Sequence, residues 1–456
     1  MGSEWTKVSI ESIQANEKGA IAIGPFGSRL KSDNYVESGV PVIRGTNVTG
    51  GPTLEGDFVY ITEEKADTLG SCNVYKNELV FPHRGSIGEV GIIKENNRYV
   101  LSSSLMKLKV DEEQVDPLFV YYFFKSALGK HELLKNASQV GTPGIGQPLT
   151  SLKKIEFHKP SLSQQKKIAN ILSSLDERIV INSQINQTLE QMAQTIFKSW
   201  FVDFDPVKAK MNGEQPEGMD AATASLFPEK LVDTEVGELP EGWKLVPVGE
   251  LLDKTIGGDW GKEEPDEKHT EEVRIVRGTD IPKLHGGAIE SVPVRYVESK
   301  KLKTRKLERG DIVIEVSGGS KDQPTGRSLF ISDNILKRLE LPSEPASFCR
   351  RFKPKSYEIG LLLAVHFQLM YQAGKTWEYQ NQSTGISNFQ TKYFLEAEHI
   401  VIPSDEVLDA FVKQVSPMMD MIHSNQNIEL AKLRDTLLPK LLSGEIELGQ
   451  SVEVPE

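Results

Sequence analysis

Apolar positions along this chain obey two rules in alternation. Through residues 1–160 they fall in short runs: Val40-Pro41-Val42-Ile43, Phe58-Val59-Tyr60-Ile61, Glu78-Leu79-Val80-Phe81 and Glu89-Val90-Gly91-Ile92-Ile93, parted by glycine-rich turns. Runs of that length and punctuation predict strands. Asp116 to Leu134, rich in aromatics and leucine, predicts helix, whereas Val140 to Gly146 carries too much Gly and Pro for either periodicity. After Pro160 the rule changes. Ile168, Leu172, Leu175 and Ile179 step by four, three and four, Asn182 and Asn186 take the next seam positions, and Leu189, Ala193, Ile196 and Trp200 follow. This heptad seam predicts one helix of ~40 residues, about 60 Å long at the usual rise. Ser161 and Ser163 offer its N-cap and Pro206 lies just past its end. A compact α/β domain needs no helix of that length for its own core, so the seam implies a partner.

Residues 205–240 lose all periodicity and read as a linker with at most one short helix. Then the pattern begins again. Glu4-Trp5-Thr6-Lys7-Val8 is echoed by Glu241-Gly242-Trp243-Lys244-Leu245, and Val42-Ile43-Arg44-Gly45-Thr46-Asn47 by Ile275-Val276-Arg277-Gly278-Thr279-Asp280. Glu78-Leu79-Val80-Phe81 returns as Asp311-Ile312-Val313-Ile314. A period of roughly 240 residues is far longer than the ~20–50 of a solenoid unit, so a whole domain and its connection are duplicated. The helices repeat in register too. Pro160, Ile168, Leu172, Leu175, Ile179, Asn182 and Ile185 map at an offset of 243 onto Pro403, Phe411, Val415, Met418, Ile422, Asn425 and Ile428. Asn182 and Asn425 stand at seam positions, where a buried polar residue fixes register and orientation or else marks a solvent-tolerant gap near a helix crossing.

The expected fold is therefore two mixed α/β (α+β) domains, 1–160 and 241–403, each followed by a long helix, 161–204 and 404–445, with a linker at 205–240 and a tail at 446–456. Each apolar seam must be buried, and the nearest equivalent seam belongs to the other copy. The helices are expected to pair as an antiparallel coiled coil within a pseudo-two-fold repeat.

Composition excludes several classes of function. No stretch approaches the ~20 apolar residues of a membrane span, and the opening Met1-Gly2-Ser3-Glu4-Trp5 has neither the basic nor the apolar region of a signal peptide. Cys72 and Cys349 fall in different halves and build neither a disulfide framework nor a metal site. The cytoplasm is the expected compartment, with no membrane partner. There is no G-x-x-x-x-G-K-[ST] loop, no dinucleotide fingerprint, no Asn-Pro-Pro-aromatic motif and no paired metal spacing among the eight histidines. No catalytic centre, metal or cofactor is expected. A net charge of −12 argues weakly against nucleic acid, but phosphate is bound by local basic faces. Two clusters exist, Lys300-Lys301, Lys303, Arg305-Lys306 and Arg309, and Arg350-Arg351, Lys353 and Lys355. Such charge runs are more often solvated faces.

Four further segments carry a resemblance. They are Pro160-Ser161-Leu162-Ser163-Gln164-Gln165-Lys166-Lys167-Ile168 with the heptads behind it, Phe197-Lys198-Ser199-Trp200-Phe201-Val202-Asp203-Phe204, Leu239-Pro240-Glu241-Gly242-Trp243, and Leu437-Leu438-Pro439-Lys440-Leu441-Leu442-Ser443-Gly444-Glu445-Ile446. In kind, order and spacing the chain resembles the specificity subunits of Type I restriction–modification enzymes over nearly its whole length. It departs from them where the second helix opens with Pro403-Ser404-Asp405-Glu406 in place of the Gln164-Gln165 pair, and at the glycine loops of the second domain. The resemblance implies a non-catalytic chain in which each α/β domain is a target recognition domain. Each would read one half of a bipartite, asymmetric sequence in double-stranded DNA. It also implies that the paired helices set the gap and dock two methyltransferase subunits, which motor–nuclease subunits join.

Base edges need the donors and acceptors of Arg, Lys, Asn, Gln, Ser or Thr. On glycine-rich loops of the first domain these are Arg29 and Lys31, Arg44 with Thr46 and Asn47, Arg84 with Ser86, and Gln147. In the second they are Arg277, Thr279, Lys321, Gln323, Arg327, Asn388 and Gln390. Arg44 and Arg277 are repeat-related, and readers of different sequences should differ at base contacts, so a structural or phosphate role suits them better. On the helices, Lys166, Lys167, Arg178, Lys413, Lys432 and Arg434 are candidates for DNA phosphates or the methyltransferase, or are plain solvated positions. Two other readings compete: the specificity part of a self-sufficient restriction–methylation enzyme, and a coiled-coil adaptor that binds no DNA.

Overall fold

The first and last strands of each α/β domain close on one another. Thr6–Ser9 pairs antiparallel with Glu156–Lys159, and Lys244–Pro247 with His399–Ile402. The computed structural model describes residues 5–138, 142–235, 237–318, 323–383, 386–424 and 426–448. They form two compact units, Met1–Ile181 with Glu429–Glu456, and Asn182–Ile428. Five helices organise them: α1 (Pro117–Lys125), α2 (Leu162–Phe201), α3 (Tyr357–Gln372), α4 (Asp405–Ile422) and α5 (Gln426–Leu442).

Both domains use one strand plan. In the first, Ile21–Ile23, Leu105–Leu108, Leu79–Pro82 and Gly91–Ile92 make an antiparallel sheet in that order, beside a second of Val59–Ile61, Val40–Ile43, Tyr99–Leu101 and Asn73–Val74. In the other unit the matching sheets are Leu252–Gly257, Cys349–Pro354, Ile312–Glu315 and Ser328–Phe330, and Val294–Glu298, His269–Val276 and Ser343–Pro345. Each second sheet carries a parallel pair, Val42 opposite Val100 and Ile275 opposite Glu344. Leu79, Val80 and Phe81, like Ile312, Val313 and Ile314, are buried. This is why those strands read as continuous apolar runs and not as alternation.

A charged pair is buried at the same register in both copies. Lys107 stands opposite Val80 and meets Glu78 at 2.7 Å. Arg351 stands opposite Val313 and meets Asp311 at 2.7 Å. Burial pushes both carboxyls above the usual range, and the facing cation partly offsets it. The basic pair Arg350-Arg351 is thus no solvated face at its second member, since Arg351 also reaches Glu308 and the Thr304 carbonyl.

The sequence-predicted helix at 116–134 is two helices, α1 and Ala127–Leu134, because Ser126 ends one and its hydroxyl caps the next by accepting from the Gly129 N–H. Gln165 fixes how α2 begins. Fully buried, it donates to the Pro160 carbonyl and accepts from the Asp116 N–H at 3.0 Å, while Asp116 caps α1. From there α2 runs unbroken for 40 residues. In the first unit it packs antiparallel to α5: Ile168, Ala169 and Leu172 share a core with Leu441 and Leu438. Farther along, Asp176 meets Arg434 at 2.7 Å. In the second unit its later half runs antiparallel to α4, with Phe411 against Phe197, Trp200 and Phe201 at one end. At the other end Glu190 is linked through His285 to His423. Leu175, Ile179 and Asn182 are half-buried along this seam.

The second long helix differs from expectation. It is not continuous over 404–445 but stops at Ile422 and resumes at Gln426. The last carbonyls of α4 go to side chains, Asp420 to Asn334 and His423 to Arg338, so no next turn is needed to satisfy them. Asn425 lies outside the described residues. Beyond the break, Asn427 donates to Ser183 at 2.9 Å. Along α4 the buried seam is Phe411, Val415, Met419 and Ile422, with Met418 only half-buried. This short helix lies on a globular core and follows the ordinary 3.6-residue period, without the 3.5 of a supercoil.

The expected linker is also more ordered than its composition suggests. It holds helices Asp205–Met211 and Ala221–Ser225 and a hairpin of Leu231–Thr234 with Gly237–Pro240. Phe204, Val207, Phe227 and Leu239 pack into the core around Trp200 and Trp243. Sparse aromatic anchors hold this segment, and periodicity does not register them.

Candidate nucleic-acid-reading edges

Both units present loops at the ends of matching strands. After Val40–Ile43 the chain turns through Arg44-Gly45-Thr46-Asn47. Asn47 closes the turn: its Oδ1 accepts from the Arg44 N–H at 2.9 Å, and its Nδ2 donates to the carbonyls of Glu55 and Asp57. The Arg44 guanidinium donates to Asp57 at 2.7 Å. The second unit builds the same turn on Asp280, whose Oδ2 accepts from the Arg277 backbone at 3.1 Å and its Nε at 2.8 Å. Asn47 and both arginines therefore hold the frame, and Thr46 and Thr279 stand exposed at the tips.

In the first unit two more loops meet beside this turn. The Gly85 N–H donates to Pro143 and the Ile145 N–H to His83, both at 2.9 Å, and Arg84 O lies near Gly45. Arg84, Ser86 and Gln147 are exposed along that junction. His83 faces inward with a ring nitrogen 3.1 Å from the Ser103 carbonyl, and burial pushes its pKa down. Gln147 holds a left-handed backbone (φ 46°) ahead of Pro148, which turns its residue out of the following helix. Arg29 and Lys31 sit exposed on the loop after Ile21–Ile23, with Arg29 donating to the Thr68 carbonyl at 2.9 Å.

In the second unit Ser317-Gly318 pairs with Asn388-Ser387, and the Ser317 hydroxyl donates to Asn388 Oδ1 at 2.9 Å. Gln323 is exposed and Gln390 half-buried. Lys321 lies outside the described residues. Arg327 does not offer its fork to a base edge. Both its Nε and its Nη2 are engaged at 2.8 Å by the carboxylate of Glu315, which is 4% exposed and keeps the guanidinium firmly charged. Glu315 ends an otherwise apolar strand, and a buried charge in such a place requires a partner; that was the signal in the sequence. Of the basic cluster at 300–309, Lys301 and Arg305 are paired with Asp259. On α5, Arg434 is clamped between Asp176 and Asp435.

Among the described residues no group of His, Cys, Asp and Glu is placed to hold a metal ion, and no helix is long and apolar enough to cross a membrane. Two domains on one strand plan, with unlike polar loops at matching strand ends and an antiparallel helix seam, define a recognition scaffold. Residues 3–191 match the family model of the Type I restriction modification DNA specificity domain. The chain is 26% identical over 396 residues to the Type I restriction enzyme HindI specificity subunit of Haemophilus influenzae, covering 77% of this chain and 82% of that one. To the MjaIX specificity subunit of Methanocaldococcus jannaschii it is 27% identical over 408 residues, 86% of this chain and 85% of that one. The crystal structure of a Type I restriction–modification S subunit from M. genitalium shares the fold, with a TM-score of 0.57 at 18% identity over 97% of both chains. Over residues 3–191 by the family model, and over most of its length by these relatives, the chain is similar to the specificity subunits of Type I restriction–modification enzymes.

Proposed function

We propose that the chain supplies DNA sequence specificity to a Type I restriction–modification complex and performs no chemistry itself. Residues 1–160 read one half of a bipartite, asymmetric target and residues 241–403 the other. The helices at 161–204 and 404–445 set the gap between half-sites and take two methyltransferase subunits, which motor–nuclease subunits join. The cytoplasm is the compartment this reading implies.

The observation that carries it is a shared frame with unlike tips. Strand order and turn hydrogen bonds repeat between the domains, yet His83-Arg84 of one stands where Val316-Ser317 stands in the other. Two half-sites of different sequence call for such a pair, because the backbone is met alike in both and the base edges are not. Exposed Arg84, Ser86 and Gln147 in one domain, and Gln323 and Asn388 in the other, are the base readers, while Thr46 and Thr279, alike in the two copies, meet the phosphate backbone. Arg44, Asn47, Arg277 and Arg327 hold the frame; Arg29, Lys31 and Gln390 flank it. Assembled with its methyltransferase, the chain should bind DNA with a sequence preference and with affinity falling log-linearly with salt. Loss of all sequence preference under those conditions would overturn the reading, as would binding of S-adenosylmethionine by the chain alone.

A further inference from the structure

Phe348 is the most exposed large apolar side chain described in the second unit, at 66%. It stands on the turn between Ser343–Pro345 and Cys349–Pro354. The backbone of that turn is fixed on both sides. The Ala346 N–H donates to Val276 at 2.8 Å, and the Phe348 carbonyl accepts from the N–H groups of Val316 at 2.8 Å and Ser317 at 3.3 Å. Phe348 is thereby tied to the strand that leads into Thr279 and to the one whose Ser317 bonds Asn388.

The first unit makes the same bonds with a different residue. The Ser102 N–H donates to Ile43 at 2.8 Å and the His83 N–H to the Ser104 carbonyl at 2.9 Å. Ser104, half-buried and 3.1 Å from the Ser102 hydroxyl, holds the place of Phe348. Another pair of exposed aromatics, Phe26 and Trp260, is shared by the two copies. Gly24 and Gly258 before them press alike on the strand carbonyls of Ser102 and Ala346, and Gly27 and Gly261 after them both have positive φ. Phe348 is unshared.

We propose that Phe348 is a base-reading residue of the second domain, its ring packing on the C5 methyl group of a thymine in the second half-site. This rests on the DNA-reading function above. Apolar contact with that methyl is how the major groove distinguishes an A·T pair without a hydrogen bond. Ser317, whose N–H meets the Phe348 carbonyl, and Asn388, bonded to Ser317, are of the types that meet base edges. A surface for two like methyltransferase subunits would be alike in the two copies; a surface for two unlike half-sites would not, and Phe348 against Ser104 is of the second kind.

The test uses the full chain assembled with its methyltransferase. Each thymine of the second half-site is replaced in turn by deoxyuridine, which removes only the methyl group. One position should cost the wild type about fourfold in affinity, the factor for burying one methyl-sized group, and cost Phe348→Ala nothing. Phe348→Leu, which keeps an apolar contact, should retain part of the sensitivity. The first half-site, read in the same complex, should be discriminated as in the wild type by both variants, which also reports that they fold. If no thymine is sensitive, or if Phe348→Ala is as sensitive as the wild type, the assignment is wrong. It is equally wrong if Phe348→Ala loses its methyltransferase instead, because the residue then serves a protein interface. Lack of any sequence preference in the wild type would instead overturn the function on which the inference rests.

Discussion

Glu344 shows how much a single side chain conditions the second domain. It occupies the parallel strand at the place of Val100 in the first copy, is fully buried, and neither carboxylate oxygen has a hydrogen-bond partner among the described residues. Burial pushes its pKa up to about 7, and Arg305 draws it back only in part. The unfolded chain ionises this group at the ordinary value, so the folded state holds a proton that the unfolded state has released. Stability from this residue is complete below the ordinary value and is lost as pH rises to about 7, by ~3 kcal/mol in all. Glu344→Gln should therefore match the wild type near pH 4.5 and exceed it by ~3 kcal/mol near pH 8 in denaturant unfolding. A pH-independent difference would contradict this. Asp311 and Arg351 differ in being paired. Arg351→Met should destabilise by ~3–5 kcal/mol, because it leaves Asp311 buried alone, and pairing it with Asp311→Leu should recover most of that loss. If the double variant is no better than the single one, the ion pair is not what that register position serves.

At the scale of elements, the helix seam is firm at its ends and loose at its middle. Leu172 is fully buried while Ile185 is 39% exposed. Thermal or denaturant unfolding should show Leu172→Ala costing ~2–5 kcal/mol and Ile185→Ala within ~0.5 kcal/mol. Equal costs would mean that the middle is as tightly packed as the ends. Much of this level was legible in the sequence. Heptad spacing from Ile168 to Trp200 gave α2, and the apolar runs at Val40, Leu79 and their repeats gave the strands, because burial on one face or both leaves a period. The break after Ile422 was not legible, since it depends on Asn334 and Arg338 reaching the ends of α4 from another part of the chain. Nor were the ordered segments at 205–240, held by Phe204 and Phe227. At the reading edges, repetition of Arg44 and Arg277 marked them as frame residues. Arg327 is engaged by Glu315, twelve residues earlier, through strand pairing; the charge that ends the apolar run marked a need for a partner but did not say which residue would supply it.

For the whole molecule the central proposition is a division of labour, in which domains choose sequences and helices set distance. Deleting one heptad from the middle of α2 keeps the seam in phase. It should change the gap between half-sites, or abolish binding, and leave both half-sequences as they were. An altered half-sequence would mean that the helices take part in reading. The most direct measurement is a map of methylated bases in DNA from cells carrying this chain and its methyltransferase. Domains that choose sequences and helices that set distance should yield a single asymmetric motif of two short half-sites at a fixed gap of unspecified bases, methylated in both halves. A continuous motif, two identical half-sites, or methylation without sequence preference would contradict it.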